Sequence, residues 1–140
     1  MGPRESLNTY LEQVRDKAFV WGKHDCLTFS NNAFHAMYGR GWADDWLGRY
    51  MVHNRPMRKK ELIKEFGRRD FYGAIDERLA CVGHVPPLGA LVATKEKQRW
   101  IIGAALGVCT GNKAVFLSKS GLLALPLQSI DRAWVINENK

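Results

Sequence analysis

The stretch Phe19-Val20-Trp21-Gly22-Lys23-His24-Asp25-Cys26 decides how this chain is read. A tight turn at Trp21-Gly22 leads to an Asp, then a Cys, then a run that reads as a helix. In that run Leu27, Phe29, Asn31, Ala33, Phe34, Met37 and Tyr38 fall largely on the 3.6-residue period of a buried helix face. Asp25 has the residue type and position of an N-cap, which makes Cys26 the first helical residue. Backbone N–H groups point outward there and the helix dipole favours negative charge. The position therefore predicts a thiol with a lowered pKa, a candidate thiolate nucleophile.

Upstream, Ser6 to Ala18 places Leu7, Tyr10, Leu11, Val14 and Ala18 at helical spacing, with Ser6 able to cap it. Downstream, the Cys26 helix reaches Tyr38 and stops at Gly39-Arg40-Gly41. Trp42 to Tyr50 reads as a loop with one helical turn, its aromatics pinned onto the body. Arg58 to Gly67 predicts a third helix with Leu62, Ile63 and Phe66 inward, and Asp70 to Cys81 a weaker fourth carrying Phe71, Ile75 and Leu79. Pro86-Pro87 then forces extended backbone.

From Leu88 the period changes to that of strands. Leu88 to Ala93, Trp100 to Thr110, Lys113 to Ser118, Leu122 to Pro126 and Arg132 to Ile136 are expected strands. A polar turn at Lys95 to Gln98, Gly111-Asn112 and Ser120-Gly121 separate them. Helices followed by a meander predict an α+β fold with an antiparallel sheet of four to five strands. The expected organisation is one domain over 1–140, with a helical half at about 5–81 and a sheet half at about 88–136.

Composition narrows the function classes. At 140 residues, 46% hydrophobic and 25% charged, the chain fits one globular domain with a real core. No apolar run approaches the roughly 18 residues a membrane span needs, and the N-terminus lacks the apolar core of a secretory signal. Three cysteines without a C-x-x-C pair support neither a disulfide framework nor a zinc site, and no metal or cofactor is implied. Cys109 reads as a buried small hydrophobe, and Cys81 has no evident partner. Lys plus Arg exceed Asp plus Glu by 21 to 14, with the excess concentrated at Arg55, Arg58, Lys59, Lys60, Lys64, Arg68 and Arg69. That cluster reads first as a solvated helix face; no aromatic interleaving or nucleic-acid motif accompanies it.

The W-G-x-x-D-C turn, a Cys opening a helix and a later antiparallel sheet resemble the NlpC-type cell-wall peptidases, a compact branch of the papain-like superfamily. The resemblance implies Cys26 as nucleophile, a base from a His on a sheet strand, and a third polar residue on the next strand. Pro87 to Val92 matches the family's G-D-L-V strand with Ala90 in place of Asp. Ala105 to Gly111 matches the His strand, with Ala105 where the His belongs, and Ala114 to Leu117 offers no orienting polar residue. A narrower resemblance covers more of the chain. Small proteins encoded among the tail genes of tailed bacteriophages share F-x-W-G-x-H-D-C, G-R-Y, A-L-G-V-x-x-G and a final G-L-x-x-x-P-L…R-A-W segment. They are matched here by Phe19 to Cys26, Gly48-Arg49-Tyr50, Ala105 to Gly111, Gly121-Leu122, Pro126-Leu127 and Arg132-Ala133-Trp134.

That likeness implies an NlpC-like fold serving as a structural or assembly component of a phage tail tip. Its partners would be other tail-tip proteins and cell-wall peptidoglycan, with no nucleic acid and no membrane span, and its location the virion tail after synthesis in the host cytoplasm. Two alternatives compete with it: an active cysteine peptidase or amidase on peptidoglycan, with Cys26 as nucleophile and His24 or His84 as base, and a host protein of the same fold that acts by binding alone. A missing base costs several orders of magnitude in rate, which weighs against catalysis. His35, nine residues beyond Cys26 at about 100° per residue, is expected on the opposite helix face. Asp25 is expected as a cap and Trp21 as a packing anchor, Arg49 and Tyr50 as groove-lining residues, and Ala105 and Gly107 as parts of the strand motif.

Overall fold

The computed structural model describes residues 2–67, 71–83, 85–95 and 105–137. The chain is mixed α+β, with a sheet of six strands among the described residues, all pairs antiparallel. Helix α1 (Pro3–Val14) starts earlier than its apolar period implies. Gly2 is the N-cap and Pro3 supplies the first turn, so Ser6 lies inside the helix instead of capping it. Helix α2 (Cys26–Tyr38) has the expected bounds. Asp25 caps it and Gly39 closes it in the left-handed conformation. The two helices meet through Tyr10, stacked on Phe29 at 5.9 Å between ring centroids and donating its hydroxyl hydrogen to the Phe29 carbonyl.

The loop after α2 makes one 3-10 turn (Asp44–Trp46), and its aromatics Trp42, Trp46 and Tyr50 are buried against the body. A two-stranded hairpin follows, β1 (Met51–Val52) and β2 (Arg55–Pro56). Its tip residues His53 and Asn54 both take positive φ, the conformation two-residue hairpin turns demand. Helix α3 (Lys59–Phe66) ends at Gly67 and buries Leu62.

The fourth expected helix is corrected. Helix α4 covers only Phe71–Asp76, and Leu79–Val82 is strand β3, paired with the last strand of the chain. Leu79 is buried, Ala80 and Val82 are half-buried and Cys81 is exposed, so four residues carry no clear period and a helical reading absorbs them without conflict. This strand raises the sheet beyond four to five, and it lies inside the stretch expected to be purely helical. The sheet continues with β4 (Leu91–Thr94), β5 (Ala105–Cys109), β6 (Lys113–Ser118), β7 (Gly121–Pro126) and β8 (Arg132–Ile136), in spatial order β3-β8-β4-β5-β6-β7. The first part of the long strand expected from Trp100, and Glu96 to Gln98 of the polar turn, lie outside the described residues.

Period-two alternation gives the sheet two apolar faces. Leu91, Ala93, Leu106, Val108, Val115, Leu117 and Trp134 join the helices in the larger core. Val92, Ala105, Cys109, Ala114, Phe116, Leu125 and Ala133 form a second cluster on the other face. The connection from β7 to β8 adds Leu127 and Ile130 to it, held by Thr94 Oγ1 donating to the Ser129 carbonyl at 2.7 Å and Asp131 N–H to that of Ala93 at 2.8 Å.

Candidate functional site

The turn into α2 is built around one buried carboxylate. Asp25 is fully buried, and its Oδ1 accepts the N–H groups of Leu27 at 3.1 Å and Thr28 at 2.9 Å. Thr28 Oγ1 accepts the Asp25 N–H at 2.8 Å, completing a capping box. The second oxygen, Oδ2, accepts the Gly22 N–H at 2.8 Å and the Tyr50 hydroxyl at 2.5 Å. Gly22 has φ of 80°, and a Cβ there would press on the Met51 side chain. Asp25 is thus the cap that its position predicts, and it also ties the turn to the Gly48-Arg49-Tyr50 segment. Burial, the neighbouring Asp25 charge and the hydrogen bond to it all push the Tyr50 phenol pKa upward.

Cys26 opens α2 as expected, but its electrostatics are the reverse of the expectation. The side chain is buried, and burial together with the Asp25 charge pushes the thiol from 9.0 to about 12. Backbone N–H groups of Leu106, Cys26 and Leu27 act in the other direction and are outweighed. A helix N-terminus lowers a thiol pKa where solvent or a cation shares the stabilisation; here a buried anion is adjacent and water is excluded.

His24 does not serve the thiol. Its backbone closes the turn with Val20, N–H to carbonyl at 2.8 Å and carbonyl from N–H at 2.9 Å. Its ring, 4% exposed, stands edge-on to Phe29 at 6.4 Å, and Nε2 has no hydrogen-bond partner. Burial lowers the imidazole pKa, and the Lys17 charge adds to this against the opposing pull of Asp25. His35 sits on the outer helix face, its Nε2 2.7 Å from Asp44 Oδ1, where Asn31 Nδ2 also donates at 2.8 Å. His53 is at the exposed hairpin tip. His84, the other candidate base, lies outside the described residues. Among the described residues, then, no histidine nitrogen bonds the Cys26 sulfur.

The remaining motif residues act as ties. Trp21 is half-buried, edge-on to Phe19 at 4.9 Å. Arg49 lies over the Phe66 ring at 4.8 Å and lines a cleft of about 240 Å³ with Trp46 and Arg78, whereas Tyr50 is wholly buried and lines no groove. Ala105 packs its methyl group into the second cluster, on the sheet face opposite Leu106. A Cβ on Gly107 would run into the Val115 carbonyl and the Phe116 ring, so the close approach of β5 to β6 requires glycine there. Leu122 N–H donates to the Arg15 carbonyl at 3.0 Å, which fastens β7 to the end of α1.

Sequence reasoning missed a third carboxylate centre. Asp76 on α4 accepts Trp134 Nε1–H at 2.7 Å through Oδ1 and Arg132 Nη2–H at 2.9 Å through Oδ2. The two-residue spacing of Arg132 and Trp134 places them on one strand face, but nothing in the sequence marks Asp76 as their acceptor.

A protein-family model described as a domain of unknown function (DUF6950) matches residues 3–136, which takes in every segment described above. No curated protein matches the chain.

Proposed function

The chain belongs to the DUF6950 family, and for this member we propose a structural or assembly role in a bacteriophage tail tip, on a catalytically degenerate NlpC-like fold. The observation that carries the absence of catalysis is the Cys26 thiol, buried beside its own capping carboxylate and pushed to about 12. That rise corresponds to roughly 4 kcal/mol against ionising the thiol in place. A thiol held protonated in this way, with no imidazole of the described residues bonded to it, lacks the thiolate that a cysteine peptidase needs.

The tail assignment is supported by the motif set, and the use the fold makes of those motifs favours a scaffold. Asp25 and Tyr50 join two motifs by hydrogen bond, Gly107 permits strand approach, Leu122 fastens an edge strand, and Arg132 with Trp134 anchors α4. Residues spent on holding segments together are what a subunit with a fixed contact surface requires. The partners proposed are other tail-tip subunits, with peptidoglycan as the nearby polymer and the virion tail as location.

Alkylation with iodoacetamide tests the inert thiol directly. Cys81 is exposed and serves as the internal standard. At pH 8 we expect Cys26 to react on the order of a thousandfold more slowly than a free thiol, and Cys26→Ala to leave assembly of tails with the neighbouring gene products intact. Rapid labelling of Cys26 below pH 8, together with peptidoglycan digestion that Cys26→Ala abolishes in a folded protein, would establish the peptidase instead.

A further inference from the structure

The hydrogen bonds of the sheet fix which backbone groups its two edge strands, β3 and β7, turn outward. In an antiparallel ladder both groups of one residue point to the same neighbouring strand, and successive residues alternate. Cys109 N–H donates to the Ala90 carbonyl at 2.9 Å, so Gly107 and Ala105 also bond β4, and Leu91 and Ala93 of β4 bond β8. The Asp131 N–H that reaches the Ala93 carbonyl agrees with this phase. Ala133 and Val135 of β8 are then turned to β3, where they meet Val82 and Ala80. Leu79 and Cys81 are left with N–H and C=O directed away from the sheet. Carried across β6, the same alternation turns Leu122, Ala124 and Pro126 of β7 outward, and Leu122 N–H does donate to Arg15, outside the sheet.

The two edges are finished differently. β7 is closed at one end by that bond to α1, and at the other Pro126 has no N–H to offer. β3 is uncharged from Leu79 to Val82 and paired without a bulge, and Cys81 is exposed. Among the described residues nothing bonds the outward amide of Cys81. Beside this strand, Val82, Val85, Pro86, Leu127 and Ile130 line a cleft of about 450 Å³, and Val85 is 75% exposed. Val82, Leu127 and Ile130 belong to the apolar cluster on the sheet face away from α2, so the cleft opens onto that face.

We infer that the β3 edge takes up an extended segment of a partner protein as a further strand of the sheet, with an aliphatic side chain of that segment in the cleft at Val82. Outward amides two residues apart on an extended chain, about 6.8 Å, are matched by the alternating carbonyls and amides of another strand. The side chains along the edge are uncharged, so the segment brings uncharged residues to meet them. Four residues, about 13 Å of edge, do not bury the roughly 800 Å² per side that holds two folded chains together. That length fits a short segment anchored in a cleft and not a second copy of the domain. The edge offers the same groups whether or not the chain sits in a tail tip.

Amide hydrogen exchange by NMR on the full chain tests this, with a fluorescent peptide of alternating valine and threonine as the probe. In the free chain the Cys81 amide should exchange rapidly while those of Ala80 and Val82, bonded to β8, are protected. Millimolar peptide should slow Cys81 about tenfold or more. N-methylating every second amide of the peptide should abolish that protection in one phase and spare it in the other, because one row of its amides faces β3. By anisotropy of the same peptide, Cys81→Pro, which deletes the outward N–H and no ladder bond, should weaken binding about tenfold, and Cys81→Ser should not. Val85→Asp, at an exposed position, should weaken it by about as much and leave the circular dichroism spectrum unchanged. A Cys81 amide already protected in the dilute free chain would overturn the proposal, since the edge would then be covered within the chain. So would protection that rises with protein concentration alone, which would make the occupant a second copy. No protection at millimolar peptide, or protection that survives N-methylation in both phases, would overturn it as well.

Discussion

At Cys26 a helix start and a buried carboxylate act on the same thiol with opposite sign, and the carboxylate and burial prevail. Asp25 is the reason the helix begins where it does, and it adds to burial, the larger effect, in making the first helical residue a poor nucleophile. Removing one donor from that carboxylate tests its structural weight. Tyr50→Phe takes away the 2.5 Å hydrogen bond and leaves Oδ2 with the Gly22 N–H. We expect a loss of about 1–3 kcal/mol in urea unfolding, the range for a charge-assisted buried hydrogen bond. His24 offers a pH test with a definite sign. Its folded pKa lies below the ordinary 6.5, so the unfolded chain binds the proton more readily. The stability it permits is complete above 6.5 and declines as pH falls through the lower folded value. Thermal unfolding from pH 7.5 to 5 should therefore fall less steeply in His24→Gln than in the parent chain.

At the scale of elements, the sequence is most legible where one signal dominates. Asp25 and Gly39 bracket α2, Gly111-Asn112 and Ser120-Gly121 bracket β6, and those elements have the bounds their punctuation predicts. It is least legible where short elements abut without a breaker. Leu79 to Val82 follows α4 by two residues, and its apolar residues fit either period until β8 pairs with it, Leu79 with Ile136 and Val82 with Ala133. The hairpin at 51–56 was likewise hidden, because its tip is His53-Asn54 instead of a glycine-containing turn. Gly107 belongs to this scale too. We expect Gly107→Ala to cost about 1–3 kcal/mol by forcing β5 away from the Val115 carbonyl and the Phe116 ring, read as a lower urea midpoint with the m-value kept.

Over the whole molecule, the sheet joins segments far apart in the chain. β8 lies between β3 and β4, so the last strand closes the fold against residues from Leu79 to Ala93, far upstream in the chain. Trp134 is the centre of that closure. It is fully buried, opposite Cys81 on one side and Leu91 on the other, T-shaped to Tyr72 at 5.4 Å, and bonded to Asp76. Trp134→Ala should cost about 3–5 kcal/mol, enough to unfold a marginal domain at 37 °C, with α4 and the sheet lost together in one transition by circular dichroism and tryptophan fluorescence.

Local chemistry along the chain determined the α+β class, the capped helix that begins at Cys26, and the alternation that gives each later strand its two faces. These depend on periodicity and on turn residues that act within a few positions of themselves. Tertiary structure alone decided the sixth strand, the Tyr50 partner of Asp25, the Asp76 centre and the ionisation of Cys26. Each of these depends on which distant groups share a water-free space, and a buried charge acts on whatever lies beside it regardless of sequence separation.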